Sequence, residues 1–125
     1  MVKYKLGIKD RLLLIPLIPE EGNFIDVSVG RDLRKKIGFP VKELDLIKLE
    51  NKDDGRWTWT VPKETKEGEE PYVEEREFEF VEREKKLIQK VAKMLDEKEK
   101  MTVQMFEVLE KYDLIPESIK KKMEE

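Results

Sequence analysis

A chain of 125 residues has room for one hydrophobic core, and 38% apolar and 44% charged residues at a net charge of only −3 are the composition of a folding sequence. The absence of cysteine and histidine excludes disulfides, thiolate nucleophiles, zinc ribbons, iron–sulfur clusters and the usual histidine base. Glu and Lys dominate while Asn and Gln occur twice each, a bias expected of a thermophile, where ion-pair networks replace labile side chains.

Val2 to Leu6 alternates weakly, as a short strand would. Lys3, Lys5 and Lys9 precede the apolar run LLLIPLIPEEGNF, a charge order that imitates a signal peptide, but only Leu12 to Ile15 is unbroken before Pro16 and no small-residue cleavage site follows. A bilayer span needs about 20 apolar residues in succession. The expectation is therefore a cytoplasmic protein in which Lys9–Ile15 forms a short helix or 3₁₀ turn stopped by Pro16. Glu21 to Phe24 then makes a corner, with Gly22 or Asn23 at positive φ and Phe24 returning to the core.

Phe24–Val29 alternates in β-branched residues and reads as extended. Gly30–Ile37 (GRDLRKKI) reads as a small basic helix ended by Gly38, and Pro40 opens a third helix, VKELDLI. Residues 46–61 carry the clearest β signal: Ile47 and Leu49 on one arm, Asp53-Asp54-Gly55 in the turn, and Trp57, Trp59 and Val61 on the returning arm. Both tryptophans are expected to pack against helices. Phe78 and Phe80 alternate with Glu77 and Glu79 in a third strand, about 76–81, that would pair with the hairpin.

From Glu82 the period lengthens to that of an amphipathic helix, with Leu87, Ile88, Val91, Ala92 and Leu95 on one stripe and Arg83, Lys86, Lys90 and Lys93 towards the other side. Thr102 caps a second helix bearing Met105, Phe106, Leu109 and Tyr112, completing an αα-hairpin. Pro116 opens a final helix over 116–125, frayed at its end. The predicted class is α+β, one domain over 1–125: a small antiparallel sheet, short N-terminal helices and a C-terminal helical hairpin.

Charge is uneven. Residues 64–84 hold 3 basic and 10 acidic side chains, more negative charge than the whole chain shows net. The acidic loop over 63–75 is either solvated surface, a face for a basic partner or a mimic of nucleic acid, with Glu69, Glu70, Glu74 and Glu75 as candidate contacts.

Motifs for catalysis are sparse. Asp45 beside Glu50-Asn51-Lys52 faintly imitates a metal-dependent nuclease, yet the same Glu-x-Lys spacing recurs at Glu64-Lys66 and Glu84-Lys86 and is background in so charged a chain. Ser28 and Ser118 sit in no nucleophile-elbow pattern, and the single glycines fit no phosphate loop, so no catalytic residue, cofactor or metal ligand is assigned. The order of three helices followed by a hairpin also matches a winged-helix nucleic-acid-binding domain, with Arg31, Arg34, Lys35, Lys36 and Arg56 as phosphate contacts. Against that alternative, the helix in the recognition position carries Glu43 and Asp45 with Lys42 alone.

RLLLIPLIPEEGNF (Arg11–Phe24), RDLRKKIGF (Arg31–Phe39), the hairpin's GRWTW and KKLIQKVAKMLDEKEKMTVQMFEVLEKY (Lys85–Tyr112) together resemble a family of short uncharacterised bacteriophage and prophage proteins. The likeness covers most of the chain, with Glu21-Gly22-Asn23-Phe24 as its sharp motif; Pro16 and the acidic insert around Glu64–Glu75 depart from the family pattern. The resemblance implies a phage or prophage accessory protein acting in the host cytoplasm and carries over no catalytic residue. The function expected is non-enzymatic binding of a host or phage protein, with the long helix offering a homodimer surface.

Overall fold

The computed structural model describes residues 2–62, 68 and 72–124. Their order is β1 (Val2–Leu6), α1 (Ile8–Leu14), a 3₁₀ turn (Ile15–Leu17), α2 (Phe24–Ile37), α3 (Val41–Ile47), β2 (Glu50–Asn51), β3 (Trp57–Thr58), β4 (Arg76–Phe80), α4 (Glu82–Glu97), α5 (Val103–Lys111) and α6 (Glu117–Met123). The α+β class holds, and two compact units divide the chain, one formed by residues 1–37 with 75–125 and the other by residues 38–74. Most of the acidic loop of 63–75 lies outside the described residues.

The first unit is organised on the β1–β4 ladder. The strands are antiparallel, with Val2 opposite Phe80, Tyr4 opposite Phe78 and Leu6 opposite Arg76. The expected pairing of β4 with the hairpin is thus replaced by pairing with the chain's own N-terminal strand. Charge favours this register: Lys3 stands opposite Glu79 and Lys5 opposite Glu77, so unlike charges face each other across the exposed side of the ladder. The other face sends Tyr4, Leu6 and Phe80 into the core, where Tyr4 meets Phe80 edge-on at 5.0 Å and Tyr112 at 5.3 Å between ring centroids.

The stretch LLLIPLIPEEGNF belongs to this core. Leu14, Leu17 and Ile18 are buried, and Pro16 sits inside the 3₁₀ turn where its missing amide leaves no bond unmade. Arg11, only 1% exposed, donates from Nε to the Ile37 carbonyl at 2.8 Å, placing a cation at the negative end of the α2 dipole. Among the described residues no helix is long and apolar enough to cross a membrane.

Residues 24–29 do not form the extended segment that their β-branched alternation suggests; α2 is one continuous helix from Phe24 to Ile37. Its start is fixed by Asn23, whose side-chain oxygen accepts the Asp26 amide at 2.8 Å. Its interior is fixed by burial of Gly30, Leu33 and Ile37, a helical spacing. Gly30 is required for closeness and not for a turn: a Cβ there would lie 3.1 Å from the Pro19 carbonyl oxygen and 3.2 Å from the Ile18 side chain. Gly22 does take the backbone position expected of the corner, at φ 148°.

α4 and α5 follow one another as expected, α4 packing beside α2 and α5 beside α1, and their apolar stripes close the same core through Ile88, Ala92, Val108 and Leu109. Glu84, buried at the first turn of α4, accepts the Val81 amide at 2.9 Å and the Lys36 ammonium at 2.6 Å. Lys36 also donates to the Glu79 carbonyl at 2.7 Å, tying the end of α2 to the β4–α4 junction. Thr102 caps α5 by accepting the Met105 amide at 3.1 Å.

In the second unit α3 runs from Pro40, its N-cap, to Ile47, and Lys48 ends it in the left-handed conformation at φ 51°. Ile47 therefore closes a helix and does not belong to a strand, and the hairpin predicted over 46–61 shrinks to Glu50–Asn51 paired with Trp57–Thr58. The turn is as expected, with Gly55 at φ 84°. The tryptophans are not a packed inner face: Trp57 is 46% exposed and Trp59 is half-buried. Within this unit Glu43, buried on α3, accepts the Tyr72 hydroxyl at 2.7 Å.

Candidate functional site

The most unusual surface of the first unit lies where the start of α2 runs beside α4. Counted back from the buried Gly30, Leu33 and Ile37 at about 100° per residue, Phe24 falls on the opposite side of the helix from the core. The geometry agrees: Phe24 is 90% exposed and Ile25 67%, so Phe24 does not return to the interior as the corner motif suggests. Exposing an aromatic ring and an isoleucine side by side leaves uncovered apolar area that burial would stabilise by about 25 cal/mol per Å². Exposed apolar area of this kind is available to a binding partner.

Beside them runs a groove of about 200 Å³ lined by Ile25, Asp26 and Val29 from α2 and by Arg83, Lys86, Leu87 and Lys90 from α4. A second hollow, over Asn23 to Asp26, continues it across Phe24. The walls differ in charge. Lys90 reaches across to Asp26 at 2.5 Å and neutralises it, whereas Arg83 and Lys86 are exposed and make no ion pair among the described residues. The spacing of positions 83, 86, 90 and 93 puts the fourth cation, Lys93, on the same stripe of α4. The arrangement is an apolar centre with a basic margin.

The corner segment lines a separate polar depression of about 650 Å³, bounded by Ile15, Pro16, Ile18, Pro19, Glu20, Glu21 and Arg34. Among the described residues its one cation is already engaged, since Arg34 donates to the Ile18 carbonyl at 3.0 Å. The engagement holds the end of the 3₁₀ segment against α2.

Of the acidic contacts, Glu69 and Glu70 lie outside the described residues, Glu74 is half-buried and Glu75 is exposed. The acidity around them is partly spent within the fold, because Glu77 and Glu79 face lysines across the ladder and Glu84 is buried on Lys36. Of the phosphate contacts, Arg34 and Lys36 hold backbone carbonyls, Arg31 stands 3.5 Å from Asp32, and Lys35 is exposed. Arg56 belongs to the second unit and pairs with Asp54 at 2.6 Å in the hairpin turn.

Glu50 pairs with Lys52 at 2.7 Å, and that hydrogen bond and charge hold its carboxyl below the usual range. Among the described residues no three carboxylates are gathered so as to hold a metal ion. The basic stripe of α4 was visible in the sequence, but its value as a site depends on Phe24 and Ile25 lying beside it. That depends in turn on residues 24–29 being helical.

Comparison of the chain with protein-family models, with curated proteins and with solved structures finds no match.

Proposed function

We propose that the protein is a non-enzymatic module that works by binding another protein, in the manner of a small phage or prophage accessory factor acting inside the host cell. The observation that carries this reading is the exposed Phe24-Ile25 pair at the head of α2, set against the basic groove of α4. An apolar, aromatic centre with a charged margin is the anatomy of a protein interface, in which buried aromatic and arginine side chains supply most of the affinity. Neither side chain is needed for the core that α2 builds through Gly30, Leu33 and Ile37. Their exposure is therefore free to serve recognition.

Affinity capture from cell lysate tests the proposal. A protein retained by the wild type and reduced at least about tenfold by Phe24→Ser with Ile25→Ser, at an unchanged melting temperature, is the expected result. Retention that is equal for the variant, or governed only by neutralising Glu69, Glu70, Glu74 and Glu75, contradicts the placement on α2.

A further inference from the structure

We infer that the groove between α2 and α4 takes an acidic peptide segment of a partner protein, with one bulky apolar side chain seated over Ile25 and Leu87 and carboxylates set against Arg83 and Lys86. The inference rests on the proposed protein-binding role and names the chemistry of the partner.

Size is the first argument. At about 200 Å³ the groove is smaller than the ~300–1,000 Å³ of sites that enclose a drug-sized molecule, and it suits a single large side chain projecting from a chain that lies along the helices. Charge is the second. Asp26, the sole carboxylate of the lining among the described residues, is already paired with Lys90, so Arg83 and Lys86 leave the groove with uncompensated positive charge. An acidic segment complements that field and a basic one is repelled by it.

Exposed apolar side chains separate a peptide from a polyanion as the occupant. Phosphate backbones are met by polar and basic side chains, whereas here Phe24 and Ile25 stand exposed along the approach. An amphipathic acidic helix satisfies both features together, offering apolar anchors at i, i+3, i+4 and i+7 with carboxylates beside them.

The test uses the full chain and three fluorescent peptides: an amphipathic helix with Glu at its polar positions, the same peptide with Lys replacing Glu, and the acidic peptide with Ala replacing its apolar anchors. Vesicles of phosphatidylglycerol form a fourth arm. The acidic peptide should bind, weaken as salt rises, and lose about tenfold in affinity when its anchors are removed. Arg83→Glu with Lys86→Glu should abolish binding of the acidic peptide and confer binding of the lysine peptide, an inversion that a merely unfolded variant does not produce. Equal binding of acidic and basic peptides, no binding of either, or binding only to the vesicles overturns the inference. If the acidic peptide fails while a lysate partner is still lost with Phe24→Ser and Ile25→Ser, the partner chemistry is wrong and the binding role stands. If that lysate partner is indifferent to both substitutions, the binding role itself fails.

Discussion

The Tyr112 hydroxyl lies 2.7 Å from the Lys5 carbonyl oxygen and 2.7 Å from the Asp10 carboxylate, so its single proton serves two acceptors at the junction of β1, α1 and α5. Burial, then the hydrogen bond and charge of Asp10, push its pKa well above the ordinary 10.0, and burial does the same to Tyr4. A folded-state pKa raised above the unfolded value contributes stability that is complete below pH 10.0 and is lost as pH rises through the folded value. Melting temperature should therefore be level up to that pH and fall above it, and tyrosinate absorbance should lag behind that of the denatured chain. Tyr112→Phe should cost about 1 kcal/mol at neutral pH and flatten the alkaline fall. At Gly22, a side chain must enter a backbone region that glycine almost alone occupies, so Gly22→Val should cost about 1–3 kcal/mol in denaturant melts.

At the scale of elements, the joints between α2 and its neighbours rest on a few polar groups. Lys36→Met leaves Glu84 buried with only the Val81 amide, and a loss of about 2 kcal/mol in chemical denaturation is expected; Glu84→Gln with Lys36→Met should recover part of it. Thr102→Ala removes the α5 cap and should cost about 1 kcal/mol.

Helices α4 and α5 were legible because Leu87, Ile88, Ala92, Val108 and Leu109 repeat at helical spacing whatever surrounds them. The helix at 24–29 was not, because Ile25, Val27 and Val29 alternate as a strand would. What overrides that local preference is the Asn23 cap and the packing of Gly30 against Pro19, a contact that becomes visible only in three dimensions. The partner of β4 was hidden for a similar reason: Glu77 and Glu79 select Lys5 and Lys3 more than 70 positions away, while the hairpin is nearer in sequence. With residues 24–29 read as extended and the corner returning Phe24 to the core, nothing set Phe24 and Ile25 beside the basic stripe of α4.

For the whole molecule, the proposed binding surface lies on α2 and α4 and not on the acidic stretch. The acidic stretch that dominates the sequence contributes Glu77, Glu79 and Glu84 to the fold itself, whereas the head of α2 and the outer stripe of α4 offer apolar area and charge that the fold does not consume. Ion pairs elsewhere, such as Lys120 with Asp113 at 2.8 Å and Lys122 with Asp96 at 3.5 Å, are solvent-facing and worth little singly.

Photocrosslinking from position 24 tests the central claim most directly. With p-benzoylphenylalanine in place of Phe24, irradiation in cell lysate should yield a discrete adduct with one protein, competed away by unlabelled wild type and absent when the same analogue replaces Trp57. Failure to form an adduct from position 24, or an equal adduct from position 57, would contradict the account.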